Sequence, residues 1–162
     1  MKKASKILCL VGGILGLVLA LLWLILSIVH FAAGACMTAW INGADIGEAT
    51  REWLRQMAAA EGYYYSSMEV FEAHCYSQGA TFLVMMLFAI PAAIISFILS
   101  KKEKTGLPLP IVLAVLSWSG NIAAFAGAAL AIVNWAIVER KEDQQPAEEK
   151  KEEEKPEEPK AE

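Results

Sequence analysis

The chain has 162 residues, of which 56% are hydrophobic, and carries a formal net charge of −4 at pH 7. Its apolar residues are concentrated in three blocks, 7–33, 79–100 and 107–138, which argues against an ordinary soluble core. Residues 139–162 alone carry a net −5, with 6 of the 14 basic and 11 of the 18 acidic side chains, and residues 1–138 contain no basic patch. A nucleic-acid partner is therefore not predicted.

The first apolar block follows MKKASK, and no charged residue occurs between Lys6 and Asp45. A bilayer core about 30 Å thick requires roughly 20 apolar residues in a helix, so residues 7–31 are predicted to span a membrane. A secretory signal peptide is the alternative, but its apolar region is usually about 7–15 residues long. We therefore expect an uncleaved anchor helix.

The segment 34–78 is predicted to be an outer loop that contains a helix. Asp45 is its predicted N-cap, with Glu48 three residues later, and Gly62 is its predicted terminator. Its expected apolar face consists of Ile46, Ala49, Trp53, Leu54 and Met57. That face either caps a helical bundle, which we favour, or lies on the outer headgroups.

A second capping box, Ser66 with Glu69, predicts a short helix that leads into the second span, 79–100. Lysines precede the first span and follow the second, at Lys2, Lys3, Lys6, Lys101, Lys102 and Lys104. Because Lys and Arg favour the cytoplasmic side, the N-terminus is predicted to be cytoplasmic and the loop 34–78 external.

The last apolar block is too long for one ordinary span, since 32 helical residues extend about 48 Å. We favour two spans, 105–118 and 122–138, joined by an outer turn at Ser119, Gly120 and Asn121. The C-terminus is then cytoplasmic. The alternative is three spans, with one long last helix and an external tail. The tail, 139–162, is predicted to be disordered because it has almost no apolar residues.

The predicted fold class is therefore all-α and integral to the membrane, with a four-helix transmembrane bundle in residues 1–138. Its layout is similar to that of claudin-type proteins in topology only. With Gly120-Asn121-Ile122, Gly127 and Ala131-Ile132 in its last block, the chain also resembles small uncharacterised multi-span membrane proteins of Gram-positive bacteria. That resemblance implies no particular activity.

Small residues recur at four-residue spacing and predict close helix packing, within the bundle or between copies, at Gly12, Gly16, Ala20, Gly127 and Ala131. Cys36 and Cys75 bracket the outer loop. An external compartment permits a disulfide between them, and two unpaired thiols are the alternative. With His30 and His74 they form a two-His, two-Cys set of a kind that zinc accepts. His74 and Cys75 are adjacent in the sequence and would point in different directions on a helix, so a metal site is not predicted.

No Asp, Glu, Lys or Arg lies within a predicted span, although such residues usually mark proton and ion pathways. No catalytic motif or cofactor site is recognised either. The predicted function is a non-enzymatic structural or interaction component of the cell envelope. Its expected partners are the lipid bilayer and another copy of itself or another membrane protein. The alternative is an accessory or sensory subunit of a transporter or signalling complex, responsive to redox state or metal at the outer rim.

Overall fold

A computed structural model of the chain describes residues 2–63, 67–102, 106–117 and 120–139. Its five α-helices are α1 Lys2–Ile41, α2 Glu48–Ala60, α3 Met68–Lys101, α4 Pro108–Leu116 and α5 Ile122–Asn134. A π-helical turn, Trp135–Glu139, follows α5. These described residues contain no strand, so the all-helical fold class is confirmed for them. The remainder of the predicted disordered tail, 140–162, lies outside the described residues.

Contacts divide the chain into two compact units. The terminal unit comprises residues 1–15 and 91–162, and the central unit comprises residues 16–90. The terminal unit accordingly contains α4 and α5 with the start of α1 and the end of α3. The central unit contains α2 with the remainder of α1 and α3.

Two of the helices, α1 and α3, are long and apolar enough to cross a membrane. This criterion concerns length and composition, which a signal sequence or a buried core helix of a soluble protein also satisfies. The predicted third span, 105–118, is shortened to the nine residues of α4. Nine helical residues extend about 14 Å, less than half of a bilayer core. A bundle of four full crossings is therefore not supported by the length of α4.

The core of the terminal unit is built from small and aliphatic residues: Cys9, Ala92, Leu99, Leu113, Ala124 and Ala128. Two of the predicted packing glycines lie where α1 contacts α5. A Cβ atom on Gly12 would lie 2.6 Å from the Cα of Ala124, and one on Gly127 would lie 2.8 Å from the Sγ of Cys9. Ala131 is buried on the same helix as Gly127, while Gly16 and Ala20 are buried in the central unit.

The last apolar block is not one continuous helix, because α4 ends at Leu116 and α5 begins at Ile122, near the predicted turn. Gly120 adopts a φ of +105°, which favours glycine, and Asn121 is the N-cap of α5. The Oδ1 atom of Asn121 accepts a hydrogen bond from the backbone N–H of Ala124 (3.0 Å), and its Nδ2 donates to the carbonyl of Gly12 (2.7 Å). Asn121 is consequently 3% exposed, not at the surface as expected. Ser119 lies outside the described residues.

The helix predicted within residues 34–78 begins two residues later than expected. Gly47, with a φ of +74°, precedes its first residue, Glu48. Asp45 instead accepts a hydrogen bond from the N–H of Gly47 (3.1 Å) and pairs with Arg51 (2.5 Å). The Gly47 N–H and the Arg51 guanidinium hold the pKa of Asp45 below its usual value. The carboxylate of Asp45 is hydrogen-bonded to the N–H of Gly47 and does not cap the helix. The helix therefore starts at Glu48.

The apolar face of α2 is narrower than predicted. Leu54 is 1% exposed and packs in a cluster with Ala33, Met37, Phe71 and Cys75, with Ile46 and Met57 at its edge. Trp53 is 38% exposed, and Ala49 is exposed as well. Within the central unit α2 therefore packs on α1 and α3 through Leu54, and the side chain of Trp53 is left on its outer surface. The predicted capping box at Ser66 lies outside the described residues.

The contact of α1 with α5 predicts a large effect of a single methyl group. Gly12→Ala should lower the free energy of unfolding by about 1–3 kcal/mol, because the new Cβ overlaps the backbone of Ala124 and the helices must separate. Val11→Leu adds a methylene at the adjacent exposed position and is the matched control. Denaturant titration in detergent measures both. Equal stability of the two variants would contradict the close contact.

Candidate functional site

The two histidines of the chain lie on different helices and meet at the carboxylate of Glu61. Nε2 of His30, on α1, lies 2.9 Å from Oε1 of Glu61. Nε2 of His74, on α3, lies 2.6 Å from Oε2 of the same carboxylate. Because Glu61 directly follows the last residue of α2, one side chain links three helices of the central unit. We call these three residues the His–Glu–His cluster.

The end of α2 positions Glu61. Gly62 has a φ of +83°, and its N–H donates to the carbonyl of Ala59 (3.2 Å). The N–H of Tyr63 donates to the carbonyl of Ala58 (2.7 Å), which completes a Schellman motif. This geometry requires glycine, and Gly62 was predicted as the terminator. Glu61 was not predicted as a site residue, although it is the charged residue next to that glycine.

Each histidine has a second hydrogen-bond partner. Nδ1 of His30 lies 2.8 Å from the carbonyl oxygen of Leu26, one turn earlier in α1. Nδ1 of His74 lies 3.0 Å from the hydroxyl of Tyr63. The side chains of His30, His74 and Glu61 are 7%, 18% and 26% exposed, respectively. The cluster is thus largely removed from water, and the carboxylate of Glu61 remains partly accessible to solvent.

Aromatic rings surround both imidazoles. The ring of Phe82 meets that of His30 at a centroid distance of 4.9 Å and stacks on Trp23 at 5.5 Å. The ring of His74 lies 4.4 Å from that of Tyr63 and 6.3 Å from that of Phe71. Low-polarity surroundings strengthen interactions between charged groups and make an unpaired polar group costly. Each nitrogen of the two imidazoles accordingly has a polar partner.

Cys36 and Cys75, which bracket the predicted outer loop, belong to the apolar cluster around Leu54 and are not bridged. Cys75 is buried in that cluster and Cys36 packs against it. Both are free thiols, as is Cys9. Burial, with a smaller contribution from the negative charge of Glu61, raises the pKa of Cys75 to about 11. A neutral, unreactive thiol is therefore expected at Cys75.

The four weak metal candidates separate into two groups. His30 and His74 meet at Glu61, whereas Cys36 and Cys75 belong to the apolar cluster around Leu54. In the part of the chain that the structure describes, no group of three or more His, Cys, Asp or Glu residues is arranged to hold a metal ion. The contacts of the two histidines there are hydrogen bonds to the two oxygens of one carboxylate.

A cavity of about 380 Å³ lies beside the end of α2. Trp40, Leu54 and Phe71 contribute to its lining, together with Tyr63, whose hydroxyl contacts the His–Glu–His cluster. The guanidinium of Arg55 adds a positive charge to this lining, 6.0 Å from the ring of Trp40. Tyr63, whose N–H completes the Schellman motif, is thus shared by the cavity lining and the contact with His74.

Cys36 of α1 and Cys75 of α3 should differ in their reactivity towards a maleimide. At about pH 8 a maleimide should modify Cys36 in the folded protein and leave Cys75 intact. Cys75 is 0% exposed, and a pKa of about 11 leaves roughly one thiol in a thousand ionised at that pH. Peptide mass spectrometry, with Cys36→Ser as the control, measures the labelling. Modification of Cys75 before denaturation, or of Cys36 only after reduction, would contradict the free, buried arrangement.

No protein-family model, no curated protein and no solved structure matches the chain. The indications of function are therefore the chemistry and burial of its own residues. In the central unit these indications concentrate on the contact of Glu61 with His30 and His74.

Proposed function

We propose that the chain is a non-enzymatic, multi-pass membrane protein that acts as a structural or interaction component of the cell envelope. The observation that carries this proposal is the distribution of side chains along α1. Val18, Leu21 and Ile28 are each 59% exposed, whereas Ser27 and His30 are 2% and 6% exposed. In a soluble protein the apolar groups are buried and the polar groups are exposed. The inverted pattern supports lipid as the surrounding medium.

The same inversion occurs along α3. Leu87 is 59% exposed and Ile94 is 53% exposed, while Ser96 is completely buried. In both α1 and α3, 28% of the most apolar window is buried. A core helix of a soluble protein is mostly buried, so these values favour crossing helices.

Contacts of α1 within the central unit support its retention as an anchor. The hydroxyl of Ser27 donates to the carbonyl of Gly79 on α3 (2.9 Å). A Cβ atom on Gly79 would lie 3.1 Å from the ring of Phe31, so this glycine admits the α1 side chain closely. If α1 were a cleaved signal sequence, Gly79 would lose its contacts with the hydroxyl of Ser27 and the ring of Phe31. The same cleavage would remove His30 from Glu61.

For the last two helices we propose a hairpin whose two ends lie on the cytoplasmic side. The support is the break at Gly120 and the cap at Asn121, which disfavour one continuous helix. Because α4 extends only about 14 Å, we propose that the pair enters the membrane and returns. The N-terminal lysines and the tail beyond residue 139 then lie on one side. Trp53, exposed on α2, and the tail are the proposed contact surfaces for another copy or another membrane protein.

A second candidate function is an accessory or sensory subunit of a transporter or signalling complex. The observation that favours it is the convergence of both histidines on Glu61, at the end of the predicted span 7–31 and before the predicted span 79–100. Histidine changes charge near neutral pH.

Topology reporters test the proposed arrangement. A cytoplasm-active reporter fused after Glu142 should be active, and an exterior-active reporter at the same position should be silent. Insertions after Ala44, in the exposed connection before α2, should give the opposite result and serve as the internal control. An active exterior reporter after Glu142 would contradict the hairpin, and cytoplasmic activity at both positions would contradict crossing by α1.

A further inference from the structure

The cavity beside the end of α2 has an apolar floor and a polar rim. Its floor is lined by Met37, Leu54 and Phe71, one each from α1, α2 and α3, and these side chains are at most 3% exposed. Arg55 and Ser67 also line the cavity, and both are exposed. The polarity of the cavity therefore increases from its floor towards solvent. An amphipathic molecule, with an apolar body and one polar group, has the same gradient.

The volume of the cavity sets the size of the molecule that it accommodates. Small-molecule sites in proteins usually have volumes of about 300–1,000 Å³. The cavity has a volume of about 380 Å³. Because a cavity of about 150 Å³ holds a benzene molecule, this volume corresponds to roughly 10–15 non-hydrogen atoms. One ring with a short side chain fits within it, whereas a phospholipid with two acyl chains does not.

The charge at the rim favours an anion. Arg55 is the charged residue among the described residues that line the cavity, and its guanidinium lies 6.0 Å from the ring centroid of Trp40. The face of that ring would otherwise attract a cation. The ion pair of Arg55 with Glu52 has a separation of 3.5 Å, and the two side chains are 59% and 54% exposed, so it is weak. A guanidinium has five N–H donors, so Arg55 retains donors for the carboxylate of a ligand.

Distances along the helices place the cavity beyond the lipid headgroups if α1 and α3 cross the bilayer as proposed. Trp40 is nine residues beyond Phe31, the end of the predicted span 7–31, which corresponds to about 13 Å of helix. Phe71 precedes the predicted span 79–100 by eight residues, or about 12 Å. The headgroup layer extends only about 5–7 Å from the hydrocarbon core on each side. This separation favours a ligand that arrives through water rather than a lipid of the bilayer.

We propose that the cavity binds a water-soluble, amphipathic carboxylate with one aromatic ring or a short aliphatic chain as its apolar body. The body lies on the floor formed by Leu54 and Phe71, and the carboxylate pairs with Arg55 at the rim. Tyr63 lines the cavity while its hydroxyl lies 3.0 Å from Nδ1 of His74, so a bound ligand contacts a residue that is bonded to the His–Glu–His cluster. The inference deepens the second candidate function, a sensory subunit, and rests on that function for its biological use.

Methionine-methyl NMR of the full chain in phosphatidylcholine nanodiscs tests the site. Met37 and Met68 line the cavity, whereas Met85 and Met86 lie within the predicted span 79–100 and report on any probe that dissolves in the lipid. The probes are 3-phenylpropionate and 3-phenylpropylamine, which share an apolar body and carry opposite charges. The propionate should shift the signals of Met37 and Met68 with a Kd of about 1 mM or below. The amine should bind at least about tenfold more weakly, because its charge is repelled by Arg55.

Matched variants of α2 separate the charge of the site from its volume. Arg55→Gln should weaken the binding of 3-phenylpropionate by about three- to tenfold, whereas Arg51→Gln, which removes the same charge elsewhere on α2, should change it by less than about twofold. Glu52→Gln should strengthen binding, because it removes the carboxylate that competes for Arg55. Ala58→Leu places a larger side chain in the cavity and should abolish the shifts. Ala60→Leu, at the exposed last position of α2, is its control and should retain them.

Equal affinity for the two probes would overturn the proposal, as would equal losses in Arg55→Gln and Arg51→Gln, or unshifted signals of Met37 and Met68 at about 10 mM 3-phenylpropionate. Replacing phosphatidylcholine by phosphatidylglycerol without a probe should leave both signals in place. A shift that is lost in Arg55→Gln would instead identify an anionic lipid as the occupant and overturn a water-soluble one. Unchanged signals of Met85 and Met86 establish that each variant is folded. These outcomes do not depend on which side of the membrane the cavity faces, so failure of the topology and failure of the ligand site are distinguishable.

Discussion

The central unit depends on the hydrogen bonds between the carboxylate of Glu61 and two histidines. The carboxylate receives both histidines of the chain, one from α1 and one from α3, at the point where α2 ends. The apolar contacts of α2 rest mainly on Leu54, so a short helix of 13 residues would otherwise be held by one buried side chain and its neighbours. Two hydrogen bonds in aromatic surroundings add direction to that apolar contact.

In the terminal unit, buried polar side chains are hydrogen-bonded to backbone carbonyls of a neighbouring helix. Polar groups buried among apolar side chains need partners within the protein. The backbone of α1 supplies an acceptor at Gly12 for Asn121, and the side chain of Ser5 donates to the carbonyl of Gly127 (3.0 Å). Both glycines also lack the Cβ that would separate the helices. Close approach and hydrogen bonding at the contact of α1 with α5 are therefore two consequences of the same residues.

Local chemistry was predictable where one or two residues decide the outcome. Gly62 ends α2 and Gly120 interrupts the last apolar block because their positive φ values are accessible to glycine. The start of α2 was predicted two residues early, because Asp45 is a good capping residue whose carboxylate is used by Gly47 and Arg51. Trp53 was assigned to the buried face of α2, but the apolar cluster receives Leu54 and leaves Trp53 at the surface.

By itself the sequence determined the all-helical class, the two long apolar helices and the glycines at which helices end, because length, hydrophobicity and backbone freedom are local properties. The tertiary structure decided which polar groups meet. His30 and Glu61 are 31 residues apart, and Asn121 and Gly12 are 109 residues apart. No periodicity relates such positions, since their contact depends on how separate helices pack. For that reason Glu61, which had no assigned role in the sequence, became the centre of the candidate site.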